Sequence, residues 1–360
     1  MADAGKLNLR IVWDGQAIRK VEISSTRPQA YRLLNGQAPE QAVQMARLLF
    51  NVCGNAQGAA ATAAIAAAQG QAIPDQAALE RGIACEALQE HLWRLLLDWP
   101  KLLGLPQQQT DFVRWHGLLR GIAAGRGDMS TLRTELETRW LGMPAAAWLA
   151  LVSLDELQAW WRASDSPAAQ LLAALDKLDS EAGWDCGIAV LPAWTAAQAL
   201  QACGDDLDTD FAAQPQHCGL PAETGALGYY AQTPLLIDVL RQRPSRLLAR
   251  ALARMHDAVR IAGEGYHKRL DSIQAEDGAG LAVVRTARGL LLHRVRLAAG
   301  RVRDYLIVAP TEWNFHPRGA LAAGLQGMPV DDRDGLAQLV GLHVLSLDPC
   351  VEYVVEIGHA

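Results

Sequence analysis

Four short segments carry residue types that can do chemistry. Asn51-Val-Cys-Gly-Asn55 places a thiol at a helix end just before a second helix. A cysteine near a helix N-terminus feels the positive end of the aligned peptide dipoles, which favours thiolate, the ligand form. Asp348-Pro-Cys350 offers a second thiol near the C-terminus. Proline stiffens that backbone, and the aspartate is expected to cap a helix start and so present another cysteine at a helix N-terminus. Thr286-Ala-Arg-Gly289 sets an arginine before a glycine between two expected strands, and Ala309-Pro-Thr-Glu-Trp-Asn-Phe-His-Pro-Arg318 is dense in hydrogen-bonding groups directly after a strand. Taken singly, each has a bland explanation: a capped turn, a solvated arginine, an irregular loop. Their joint occurrence and order carry the signal.

The elements that must position these residues follow from periodicity. Leu7 to Val12, the turn signal Asp14-Gly15 and Ala17 to Ser24 predict a β-hairpin. A helix is expected from Glu40, stopped at Cys53-Gly54-Asn55, where glycine and asparagine suit a C-terminal cap. An alanine-rich helix follows from about Gln57 to Gln69. Helical periodicity marks Glu80–Trp99, Gln108–Ala124, Met129–Leu141, Ala145–Leu151 and Asp155–Leu178, and one more long helix is expected over Pro234–Ala262. Eight of the eleven tryptophans lie between Trp93 and Trp184, where packing roles are expected. Near residue 280 the period changes: Ala282–Arg288, Leu290–Leu297 and Val302–Val308 read as strands. A looser stretch from Pro310 to Asp334, a short helix and the terminal segment Leu345–Ala360 complete the chain. The expected class is mainly α with small β-elements (α+β). A single domain over 1–360 is expected, with the hairpin and Cys53 segment first, a helical middle over about 57–262 and a β/loop part over about 280–360.

Composition removes several function classes. A formal charge of −6 gives no basic footprint for nucleic acid. No stretch reaches the roughly 18 unbroken apolar residues of a membrane span, and the most apolar run, Gly58–Ala68, is mainly alanine and reads as a packed helix. The N-terminus lacks a charged-then-apolar secretion signal, so the cytoplasm is the expected location. The six cysteines are scattered without a CxxC pair, which argues against a disulfide framework. Cys85, Cys186, Cys203 and Cys218 read as small buried hydrophobes, with no chemistry assigned to them.

In their order, the four segments resemble the large subunit of nickel–iron hydrogenases, over most of the chain from the Leu7–Ile11 strand to Cys350. That family holds its metal centre with RxCGxC near the N-terminus and DPCxxCxxH at the C-terminus. Asn51-Val-Cys-Gly-Asn-Ala56 and Asp348-Pro-Cys-Val-Glu-Tyr-Val-Val-Glu356 match them. The family's APRGxLxH and VPTTWN segments are matched by Thr286-Ala-Arg-Gly-Leu-Leu-Leu-His293 and Val308-Ala-Pro-Thr-Glu-Trp-Asn314, and Glu223-Thr-Gly225 sits where the family has a similar turn. The resemblance implies a trimmed large-subunit fold.

The departures imply a different function. Ala56 and Tyr353 stand where the second thiolate of each pair should be, and those are the family's bridging ligands, so no complete nickel–iron centre is expected. Ala4 replaces the family's proton-transferring glutamate, Ala60 and Glu356 replace motif histidines, and no C-terminal extension is expected for a maturation protease to cleave. What the resemblance leaves is a pocket for iron's diatomic ligands. Arg288 and Thr311 match the residues that donate to iron-bound cyanide, an anionic acceptor for which a charge-assisted donor in a dry pocket is strong. Cys53 and Cys350 are the expected metal ligands. They match the family's terminal nickel ligands, and holding iron would require them to re-aim. Degenerate relatives of this kind form the HupK/HoxV group of hydrogenase accessory proteins. The resemblance therefore implies a non-catalytic maturation factor in the cytoplasm, a scaffold for the Fe(CN)2(CO) fragment before it reaches the large subunit. Implied partners are maturation proteins of the HypC/HypD type and the large-subunit precursor. Competing readings are a metal-free mimic of the large subunit that recruits maturation proteins, a divergent hydrogenase with a mononuclear metal, and nickel storage or delivery.

Overall fold

A computed structural model of the protein describes residues 5–182, 187–204, 207–265 and 268–359. Strands β1 (Leu7–Trp13) and β2 (Ile18–Ser25) form the expected hairpin. Asp14 makes its turn, its Oδ1 accepting from the amides of Gln16 and Ala17, both at 2.9 Å. The chain's last strand returns to the other edge of β1 and pairs with it in parallel, from Leu7 opposite Tyr353 to Trp13 opposite His359. The inward faces of β1 and β2 (Leu7, Leu9, Ile11, Val21, Ile23) bury against Phe315, Leu321 and Val344. The N- and C-terminal segments, each carrying one cysteine of interest, are thereby tied together.

Helix α1 (Pro39–Leu49) ends earlier than expected, and Asn51–Cys53 makes one tight turn before α2 (Gly54–Ala68). Gly54 and Asn55 thus open the alanine helix instead of closing α1. The reason is tertiary: α2 has no side-chain cap of its own, and the Glu86 carboxylate of α3 (Gln76–Trp93) accepts from the amides of Asn55 at 2.8 Å and Ala56 at 3.1 Å. Helix α2 is buried on nearly every side, which its small residues allow. It lies so close to the four-stranded sheet that a Cβ on Gly280 would collide with the backbone of Ala64 and Ala68.

That sheet is an antiparallel meander of β3 (Leu270–Glu276), β4 (Ala279–Thr286), β5 (Gly289–Ala298) and β6 (Arg301–Val308). Its first strand was not anticipated, because Leu270–Glu276 carries mostly polar, exposed residues and only its pairing with β4 makes it a strand. The looser stretch after β6 holds two short helices, Pro310–Asn314 and Ala320–Leu325.

The middle of the chain is helical, with Trp99, Trp115, Trp140 and Trp148 fully buried in one core. Trp184 lies outside the described residues. Two expected helices are each broken in two by proline. Pro167 opens a new helix over Pro167–Ala182 after Leu154–Arg162. Around Pro244 the chain leaves helical geometry, with Arg243 at φ −131° and ψ 83° and Arg246 left-handed, so Pro234–Gln242 and α4 (Leu247–Glu264) are separate. The last helix, α5 (Arg333–Leu347), leads into β7 (Tyr353–His359). No helix among the described residues is long and apolar enough to cross a membrane.

Candidate functional site

The tie between the termini, the start of α2 and the β4–β5 turn enclose a cavity of about 490 Å³. Cys53, Cys350, Arg288 and Thr311 all line it, together with Gln57, Arg27 and Glu312. The structure thus brings the four sequence-expected site residues to one place, although they lie on four separate segments.

Cys53 occupies the N-cap position of α2, and Gln57, one turn on, points its amide nitrogen at the sulfur at 3.5 Å. The expected lowering of this thiol by the helix dipole is overturned. Burial, reinforced by the nearby Cys350 and Glu86, outweighs Arg288 and the Gln57 N–H and pushes the Cys53 thiol up to about 12. At neutral pH Cys53 is a thiol, and coordinating a metal would release its proton.

Cys350 also departs from expectation. Asp348 does not start a helix; it ends α5 in a left-handed conformation, with Pro349 next, and Cys350 runs on toward β7. The Asp348 carboxylate is fully buried, 2.8 Å from Arg94, 3.1 Å from Arg254 and 3.4 Å from Arg288. Burial by itself would raise this carboxyl, but the guanidiniums of Arg288, Arg254 and Arg94 hold it well below the usual carboxylate range. Cys350 therefore owes its position to Asp348 as a buried anchor and to Thr311. The Thr311 hydroxyl donates to Cys350 Sγ at 3.1 Å and accepts from the Cys350 amide at 3.3 Å. Its proton is engaged by the sulfur, where the resemblance implied donation to a cyanide ligand.

Arg288 sits in the β4–β5 turn. Thr286 Oγ1 accepts from the amides of Arg288 and Gly289, and Gly289 has φ +134° with no room for a Cβ beside Thr224. The arginine is buried and ion-paired with Glu90 on α3 as well as with Asp348. Asn314 joins these parts: its Oδ1 accepts from Thr224 N at 2.9 Å, and its Nδ2 donates to Leu347 O at 3.2 Å and Arg288 O at 3.4 Å. Glu223, in the same family-like turn, is clamped by Arg250 at 2.7 and 2.9 Å.

Sequence reasoning missed Arg27, Glu312, Glu86 and Gln57. Arg27 pairs with Glu312 across 2.5 Å on the cavity wall, and burial pushes the Glu312 carboxyl up despite that partner. Glu86 is raised to about 7, burial outweighing the two amides it accepts from. Only Glu312 and Gln57 had a legible signal, since they lie within or beside matched motifs; Arg27 and Glu86 are polar residues without a motif.

The residues do not fit a dinuclear nickel–iron centre. Ala56 is fully buried with its amide on Glu86, Tyr353 is 41% exposed at the start of β7, and neither lines the cavity. Ala60 is buried, Glu356 is exposed, and Ala4 lies outside the described residues. Among the described residues, no group of three or more His, Cys, Asp or Glu side chains is arranged to hold a metal ion. Cys85 and Cys203 are buried as expected, Cys218 is exposed instead, and Cys186 lies outside the described residues.

Comparison with known proteins bears on this site. Residues 235–355 match the family model "Nickel-dependent hydrogenase". The hydrogenase expression/formation protein HupK of Azotobacter vinelandii is 33% identical over 99% of this chain and all of that protein. The protein of the same description named HoxV, from Cupriavidus necator, is 30% identical over 94% of this chain and 93% of that one. A [NiFeSe] hydrogenase variant from Desulfovibrio vulgaris Hildenborough shares the fold, with a TM-score of 0.61 at 16% identity over 95% of this chain and 94% of that one. A large-subunit fold with two of its four expected thiols, and full-length similarity to these proteins, place the chain in the HupK/HoxV family of hydrogenase expression/formation proteins within the nickel-dependent hydrogenase large-subunit superfamily.

Proposed function

We propose that this protein is a non-catalytic hydrogenase maturation factor that holds the Fe(CN)2(CO) fragment for transfer to the large-subunit precursor. The observation that carries the reading is the convergence of Cys53, Cys350, Arg288 and Thr311 on one cavity. The fragment is cargo. Two thiolates would hold its soft iron, with the Cys53 proton lost on loading. The buried guanidinium of Arg288 is the group suited to its anionic cyanides. Arg27, paired with Glu312, is a second cation lining the same cavity.

A carrier must bind less tightly than its recipient. Each tenfold preference corresponds to about 1.4 kcal/mol, and a recipient with four thiolates supplies that preference where Ala56 and Tyr353 here withhold it. On this reading the partners are the large-subunit precursor and the HypC/HypD-type proteins that build the fragment, and the protein works in the cytoplasm.

The test is an infrared spectrum of the protein purified from cells making the full assembly machinery. CN and CO stretching bands are expected, and Cys53→Ala should abolish them. Their absence from the parent protein would leave the second reading, a metal-free mimic of the large subunit that recruits maturation proteins. That reading is favoured by one observation: the Thr311 proton is already engaged by Cys350.

A further inference from the structure

Behind Cys53 lies a line of polar side chains that no matched motif explains as a unit. Gln57 on α2, His293 on β5 and Tyr305 on β6 are 3%, 0% and 1% exposed, so each must find its hydrogen-bond partners within the protein. His293 Nδ1 lies 2.8 Å from the Tyr305 hydroxyl, His293 Nε2 lies 2.9 Å from Gln57 Oε1, and Gln57 Nε2 lies 3.5 Å from Cys53 Sγ.

Two proton arrangements are conceivable, and counting donors separates them. His293 is the sole partner of the Tyr305 hydroxyl among the described residues. If the hydroxyl donates to Nδ1, the imidazole carries its proton on Nε2 and donates to Gln57 Oε1, which turns the Gln57 NH2 group toward the sulfur. All three groups are then satisfied. In the reverse arrangement Nδ1–H donates to the tyrosine oxygen, and the hydroxyl proton is left buried without an acceptor, a costly state. Burial also pushes the imidazole down to about 3, so the ring is neutral and carries a single proton, as the first arrangement requires.

We propose that Tyr305, His293 and Gln57 form a directional clamp that presents an N–H donor, and never an acceptor, to the Cys53 sulfur. Tyr305 and His293 are positioning residues; Gln57 is the group that touches the ligand atom. Its functional consequence rests on the carrier reading above. A thiolate that accepts an N–H bond gives less electron density to a metal, so the clamp keeps Cys53 a ligand that can be surrendered. No bond is made or broken in the clamp itself.

The first arm of the test needs no cargo. Nitrogen NMR of the full chain labelled with 15N-histidine, with the His293 signals identified by their loss in His293→Phe, should show a neutral ring protonated on Nε2. A ring protonated on Nδ1 overturns the clamp. The second arm uses protein purified with the assembly machinery. Gln57→Leu should move the CO stretch to lower wavenumber, because a freed sulfur donates more to iron. It should also slow loss of the bands to added metal-free large subunit by about fivefold, as expected for one hydrogen bond. His293→Phe, which leaves Gln57 in place but releases its amide, should shift the band in the same direction if Gln57→Leu does not fold. An unmoved CO band and unchanged transfer in a folded variant overturn the role in release. If no variant, parent included, carries bands, the carrier reading and the release role fall together, whereas the tautomer result still decides the clamp.

Discussion

Arg288→Leu separates this arginine's place in a buried ion cluster from its proposed recognition of the iron fragment. The substitution removes a buried cation from between Glu90 and Asp348. Asp348 keeps Arg94 and Arg254, but Glu90 loses its ion pair with Arg288. Breaking a buried pair from one side costs about 3–5 kcal/mol when the other charge stays dry. The Glu90 side chain is 14% exposed and can draw in water, so the low end, about 3 kcal/mol, applies. Spread over an unfolding entropy of about 2.1 cal/mol/K per residue for the whole chain, that lowers the melting temperature by about 4 °C. The assay pairs thermal unfolding with the infrared spectrum, and uses Arg288→Lys alongside. Lysine restores a charge for Glu90 but not a planar fork for cyanide, so it should recover most of the stability and little of the CN and CO intensity. A leucine variant that melts with the parent would refute the ion-cluster account. A lysine variant that retains the bands in full would refute recognition of the fragment by the guanidinium.

Asn314→Ala strips partners from Thr224 N, Arg288 O and Leu347 O; at about 1 kcal/mol each it should cost about 2–4 kcal/mol and loosen the Arg288 turn, visible as faster amide exchange at Thr224 and Leu290. Glu86 has a folded pKa raised to about 7, so the native state binds more protons than the unfolded chain between about pH 4.5 and 7; stability should fall as pH rises through that window, and Glu86→Gln should flatten the decline in melting temperature. Thr311→Val removes the hydroxyl that Cys350 Sγ and the Cys350 amide both engage, and site-resolved alkylation of Cys350 should change while that of Cys53 does not.

The motifs themselves, with their order and their missing partners, were legible in the chain: Cys53 without a thiol at 56, Cys350 without one at 353, Arg288 and Thr311 in place. So was the hairpin, because Asp14-Gly15 between alternating apolar runs specifies its own turn, and so was the buried alanine helix, because only small residues tolerate contact on every side. What the sequence could not reveal were effects set by neighbours distant along the chain. Glu86 caps α2 from thirty residues away and moves its start to Gly54. Asp348 reads locally as a helix cap, yet three arginines from α4, the β4–β5 turn and the stretch after α3 make it a buried anchor. The Cys53 thiol shows the same division. Its place at a helix start was predictable, but desolvation depends on everything that closes over it, and here it outweighs the dipole.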